Sequence, residues 1–127
     1  MVIETLDHLV LTALHLESTC QFYEKIGFSK ERFGNERIAL KFGKQKINVH
    51  QYKKEFEPKA KIPTPGSQDL CFVVSTPIND VIKTLIESGI EIIEGPVERT
   101  GATSKLISVY IRDPDGNLLE FSNVVVE

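Results

Sequence analysis

The chain has 127 residues, a length that suits one compact domain with a real core. Its hydrophobic share of 41% and charged share of 26% are those of an ordinary soluble globular protein, and a net charge of −3 argues against nucleic acid as a partner. No apolar run approaches a membrane span, and the first residues, MVIETLDHLVL, lack a basic, signal-like start, so a cytoplasmic protein with no membrane partner is expected.

In chain order, Thr5–Thr12 alternates as a strand does. Leu9 and Leu11 fall on one face and Leu6, His8, Val10 and Thr12 on the other. A helix opens at Glu17 or Ser18, carries Leu16, Cys20, Phe22, Tyr23 and Ile26 on its apolar side, and stops at Gly27. Phe28–Phe33, Arg37–Phe42 and Lys46–Gln51 read as three strands joined by turns at Gly34-Asn35 and Gly43-Lys44. In the third of these, Asn48, His50 and Tyr52 share a face. Residues 53–66 are charged and carry Pro58, Pro63 and Pro65, which makes them a connector.

The pattern then recurs. Asp69–Val74 is a strand with Asp69, Cys71 and Val73 on one face. Pro77 suits a first helical turn, Ile78, Val81, Ile82, Leu85 and Ile86 form a helical stripe, and Gly89 ends it. Glu91–Pro96 is expected as a strand, Glu98–Lys105 as a polar loop able to close over a site, and Leu106–Arg112 as a strand. Asp113-Pro114-Asp115-Gly116-Asn117 is turn chemistry, and Leu118–Phe121 alternates again, with Glu120 facing away from Leu119 and Phe121. Cys20 and Cys71 are unrelated in position and expected to be reduced.

Each half therefore reads strand, helix, strand, strand, strand. The repeat has a period of about 62 residues and two copies. Module 1 covers about 4–53, a connector 54–66 and module 2 about 67–125, within a single domain spanning 1–127. His8 and Asp69 match in the two first strands. His50 and Glu120 both lie in last strands. His15, at the first strand–helix junction, is expected to be exposed or capping.

The segments LDHLVLT at 6–12, FYEKIGF at 22–28 and RDPDGNLLEF at 112–121 resemble the vicinal oxygen chelate superfamily of glyoxalases, bleomycin-resistance proteins and extradiol dioxygenases. KEFEPKA at 54–60, PGSQDLCF at 65–72 and GPVERTGA at 95–102 resemble a narrower glyoxalase-domain-containing, virulence-associated subgroup. The resemblance implies an α+β fold of two tandem βαβββ modules whose curled mixed sheets surround a metal cup. It also implies a homodimer, in which the cup can draw ligands from two subunits.

Carried over to this chain, the resemblance puts metal ligands at His8, His50 and Glu120, with Asp69 in a fourth place. Two imidazoles and a carboxylate suit a divalent Ni, Zn, Fe, Mn or Co ion that chelates two vicinal oxygens of a small substrate. The chain departs from the pattern of glyoxalase I, with Asp69 where a histidine is usual and His50 where a glutamate is usual. A fourth ligand, a general base and a partner for Arg112 are the roles open to Asp69. Asp69 and Glu120 are the candidate catalytic residues. Cys71 is expected to line the cup rather than act as a nucleophile, and Arg112 to pair with the Asp113–Asp115 turn or bind an acidic substrate group. The leading expectation is a glyoxalase-like lyase or isomerase acting on an oxygen-rich or thiol-conjugated small molecule. A ring-cleaving dioxygenase and a non-catalytic sequestration protein are the alternatives.

Overall fold

The structure is a computed structural model and describes residues 1–126. The chain divides into two units, Met1–Ser67 and Gln68–Glu127.

In the first unit the elements are β1 (His8–Ala13), α1 (Leu16–Lys25), β2 (Ser29–Phe33), β3 (Arg37–Phe42) and β4 (Gln45–Gln51). They form one mixed sheet in the order β1-β4-β3-β2, with β1 parallel to β4 and the other pairs antiparallel. The parallel pair is a consequence of the helix, because a strand can return alongside β1 only after a long crossover. Leu11, Ala13, Ile38, Leu40, Ile47 and Val49 are buried on the side where α1 packs through Thr19, Cys20 and Tyr23. Tyr23 meets Phe28 edge to face at 5.1 Å, which fixes the chain as it leaves the helix.

The second unit repeats the plan with β5 (Asp69–Val73), α2 (Ile78–Glu87), β6 (Glu94–Thr100), β7 (Lys105–Arg112) and β8 (Leu118–Val124). Its sheet runs β5-β8-β7-β6, again with one parallel pair, β5 and β8. Val109, Ile111, Leu119 and Phe121 are buried with Leu85 of α2, and Phe72 stacks on Phe121 at 5.6 Å. The two helices end alike. Phe28 N–H returns to the Tyr23 carbonyl across Gly27 (φ 116°), and Ile90 N–H to the Leu85 carbonyl across Gly89 (φ 72°). Neither sheet closes on itself. Among the described residues no helix is long and apolar enough to cross a membrane.

Two boundaries differ from the alternation pattern. β1 starts at His8 rather than Thr5, and the chain before it is held by Gln45, whose Nε2 donates to the Leu6 carbonyl at 2.6 Å. The larger difference is at β6. The strand expected over Glu91–Pro96 and the loop expected over Glu98–Lys105 resolve into one strand, Glu94–Thr100, with an irregularity between Glu94 and Val97. Pro96 and the charges at Glu98 and Arg99 look like loop chemistry. β6 is an edge strand, where a proline and outward charges are tolerated and a bulge is common. Arg99 and Thr100 are therefore strand residues, not a closing loop.

Candidate functional site

The helix-free face of the first sheet is organised by register into three rows across β2, β3, β4 and β1. The rows are Ser29, Lys41, Lys46 and His8; then Glu31, Ala39, Asn48 and Val10; then Phe33, Arg37, His50 and Thr12. His8 stands in the first row and His50 in the third, four residues further along a parallel pair. At 3.3 Å per residue their levels differ by about 13 Å. The rings do not converge, because side chains of one face stand side by side.

His8 is exposed and its Nδ1 lies 2.8 Å from Asp7 Oδ2, which leaves Nε2 free. A carboxylate on one ring nitrogen is the usual support for a histidine whose other nitrogen holds a metal. His50 has a different setting. It is buried, its Nδ1 has no hydrogen-bond partner, and its ring meets Phe56 edge on at 5.4 Å. Phe56 in turn carries the Arg37 guanidinium 4.4 Å above its ring. The His50 pKa is lowered by burial first and by Arg37 second, with Glu55 opposing. A neutral imidazole with an orphaned nitrogen suits a metal, whereas a nearby guanidinium does not. Asn48, between the two histidines, also has a buried Oδ1 without a partner.

The second sheet presents Cys71, Glu120, Tyr110 and Glu94 as one row across β5, β8, β7 and β6. Its neighbours along the strands are Ser108 and Ser122 on one side and Asp69, Leu118 and Arg112 on the other. Ser108 Oγ and Ser122 Oγ are 2.6 Å apart, and Ser122 donates to Glu120 Oε2 at 3.3 Å. Arg99 Nε donates to Tyr110 Oη at 2.9 Å while its Nη2 holds Glu94 at 3.1 Å. The Tyr110 pKa is raised by burial first, lowered by Arg99, and raised again by Glu120, which accepts a hydrogen bond from it. Glu120 is thus held by two hydroxyl donors. Partial burial pushes the Cys71 thiol up, and Glu120 adds to this, so the group stays a thiol. Asp69 is exposed on the same face, one side-chain step (roughly 7 Å) from the Glu120 row. Arg112 donates to the Gly116 carbonyl at 3.2 Å.

The register also refines the repeat. His8 and Asp69 each open the first strand of their sheets, opposite Lys46 and Leu118. Two residues on, Glu120 faces Cys71 and Asn48 faces Val10. The counterpart of Glu120 in the first unit is Asn48, and His50 corresponds to Ser122. Alternation does not single out Arg99, because Pro96 and the charges around it have loop character, although its spacing from Glu94 lies within one charged stretch. His15 occupies the N-cap position, exposed and without a side-chain cap bond. Among the described residues of one chain, no three His, Cys, Asp or Glu side chains gather as a metal-holding group.

A pair of βαβββ units with mixed four-stranded sheets defines the glyoxalase-like class of folds. The chain belongs to the glyoxalase/bleomycin resistance protein/dioxygenase superfamily, whose family model matches residues 5–121. It is 60% identical over 126 residues to virulence protein STM3117 of Salmonella typhimurium, covering 98% of this chain and 88% of that one. The crystal structure of that protein superposes with a TM-score of 0.97 over 98% of this chain and 100% of the other. A glyoxalase domain-containing protein, RDO1 of Mycosarcoma maydis, is 54% identical over 121 residues, 95% of this chain and 69% of that one. Lactoylglutathione lyase from Agrobacterium tumefaciens, at 20% identity, shares the fold with a TM-score of 0.72 over 95% of this chain and 94% of its own.

Proposed function

We propose that the protein is a metal-dependent glyoxalase-like enzyme acting on a small oxygen-rich or thiol-conjugated molecule. The observation that carries this reading is the Asp7–His8 pair at 2.8 Å, which orients an imidazole with one nitrogen free. His8, His50 and Glu120 are the candidate ligands of a divalent Ni, Zn, Fe, Mn or Co ion. The four-residue offset in register means that His8 and His50 serve one ion only if they come from two copies of the chain. A homodimer is therefore part of the proposal, with the cytoplasm as its expected compartment.

The ion, when bound, supplies a Lewis acid for two neighbouring substrate oxygens. The chain's own residues supply the rest. Glu120 enters with its carboxylate already oriented by Tyr110 and Ser122, so little ordering is left to the moment of binding. Asp69 has no bonded partner among the described residues and is the candidate base for a proton next to a carbonyl. Its place on the Glu120 face supports this role.

The test is turnover of the methylglyoxal–glutathione adduct by protein loaded separately with each metal, followed by O₂ uptake with catechols. Adduct turnover that Asp69→Asn abolishes supports the reading. O₂ uptake without adduct turnover replaces it by a dioxygenase, and neither activity with any metal leaves a sequestration protein instead.

A further inference from the structure

Beside Asp7 the first sheet carries a hollow of about 270 Å³ whose lysines the proposed chemistry does not use. Its origin lies in the sequence. Ala39 occupies the middle of the second row with only a methyl group, between Glu31 and Asn48. The β3–β4 hairpin adds Lys41, Lys44 and Lys46 to the lining, and β2 adds Phe33.

The charges of this hollow are unbalanced. Lys41 is paired with Glu31 at 3.3 Å, while Asp7 bonds the His8 ring at 2.8 Å and keeps its charge, so three lysines face two carboxylates in the lining. Lys46 extends across the hollow and places its Nζ 3.8 Å from the centre of the Phe33 ring. Among the described residues neither Lys44 nor Lys46 has a carboxylate within ion-pair distance. Two unpaired ammonium groups thus share a concave site in a chain whose net charge is −3. Such a hollow concentrates small anions against the overall field. A cation would meet lysines there, and an uncharged apolar molecule would find only Phe33 and Ala39 to pack on.

We infer that this hollow is an anion-binding subsite for a carboxylate or phosphate group of a small molecule, with Lys46 and Lys44 as its binding residues and Phe33 as its apolar wall. Lys46 is the register partner of His8 on the same face. Assigning the anion to the enzyme's substrate rests on the metal-enzyme reading, but the binding itself does not, and it is measured without metal.

The experiment is an amide NMR titration of chelator-treated protein with inorganic phosphate and, separately, benzoate, at constant low ionic strength set with chloride. Saturable shifts are expected at Phe33, Ala39 and Lys41–Lys46. Lys46→Met is expected to weaken binding by about tenfold, as loss of one charge-assisted hydrogen bond does. Lys44→Glu, at an exposed turn position that the fold does not need, is expected to weaken it by about as much. Lys83→Met, an exposed charge on α2 outside the lining, leaves phosphate binding within about twofold. Tighter phosphate than benzoate identifies a phosphate group, and the reverse identifies an aromatic or unsaturated carboxylate. Shifts that are unsaturable and spread over the surface, or an affinity unchanged in both lysine variants, overturn the subsite.

Discussion

The Arg99 guanidinium donates through Nε to the Tyr110 hydroxyl at 2.9 Å, and this bond fixes which way the tyrosine's own proton points. With its oxygen occupied on the Arg99 side, Tyr110 turns its O–H toward Glu120, its partner in the β7–β8 register. The carboxylate proposed to hold the ion is thereby oriented by a chain that begins at Glu94. Tyr110→Phe is expected to lower metal affinity by about tenfold, the usual cost of losing an outer partner of a ligand, while the melting temperature stays within a few degrees. Competition with a chromogenic chelator measures it. An affinity within about twofold of wild type would contradict this role.

His50 gives stability a pH dependence with a definite sign. Its folded pKa lies below the ordinary 6.5, from burial first and Arg37 second. The unfolded chain therefore binds the proton more readily than the folded one, and stability rises with pH. Metal-free protein is expected to lose stability as pH falls through 6.5, with a slope of up to about 1.4 kcal/mol per pH unit from this group, and to level off below the folded pKa. His50→Gln flattens this part of the urea-midpoint profile. An unchanged profile in the variant would contradict the assignment.

The turn between β7 and β8 is held by one buried carboxylate. Asp113, 5% exposed, accepts from Asp115 N–H at 2.9 Å, Asn117 N–H at 3.0 Å and Asn117 Nδ2 at 2.7 Å. Asn117 is fully buried and passes the connection to the entrance of β5 by accepting from Gln68 N–H at 2.8 Å. Asp113→Ala strands two buried donors of Asn117 and is expected to cost about 3 kcal/mol in urea unfolding. A loss below about 1 kcal/mol would show that water replaces the carboxylate.

The two thiols differ in access, and neither is activated. Cys20 is buried at 0% exposure, and Cys71, although accessible, has a pKa raised above the ordinary 9.0. Native protein is expected to react at Cys71 alone, slowly at pH 7, with a rate that climbs beyond pH 9.0. Cys71→Ser leaves turnover within about twofold. Fast labelling at pH 7, or loss of activity in the variant, would make Cys71 a reactive group.

Much of this fold is legible because its strands are half-buried. Leu9 and Leu11, Ile47 and Val49, and Leu119 and Phe121 mark the helix side of β1, β4 and β8, so alternation alone separates the two faces of each strand. β6 escapes the same reading. An edge strand has no apolar partner on its free side, and Pro96 and Arg99 then look like a loop. The candidate site residues can be named from the sequence, but their geometry cannot. Single strands show which face His50 and Glu120 occupy, whereas their equivalence depends on the partners of β4 and β8. The register moves that equivalence by two residues, to Asn48, and separates His8 from His50. Asp7 leaves no periodic signal, because its bond is to the residue next to it.

The proposal that this chain holds a catalytic divalent ion is tested most directly by elemental analysis of the purified protein beside His8→Ala, His50→Ala and Glu120→Gln. The account predicts a near-stoichiometric transition metal in the wild type, its loss in each of the three variants, and a wild-type melting temperature that falls when a chelator strips the ion. A wild type that takes up no metal from any of the five candidates, or metal that survives in all three variants, would contradict it.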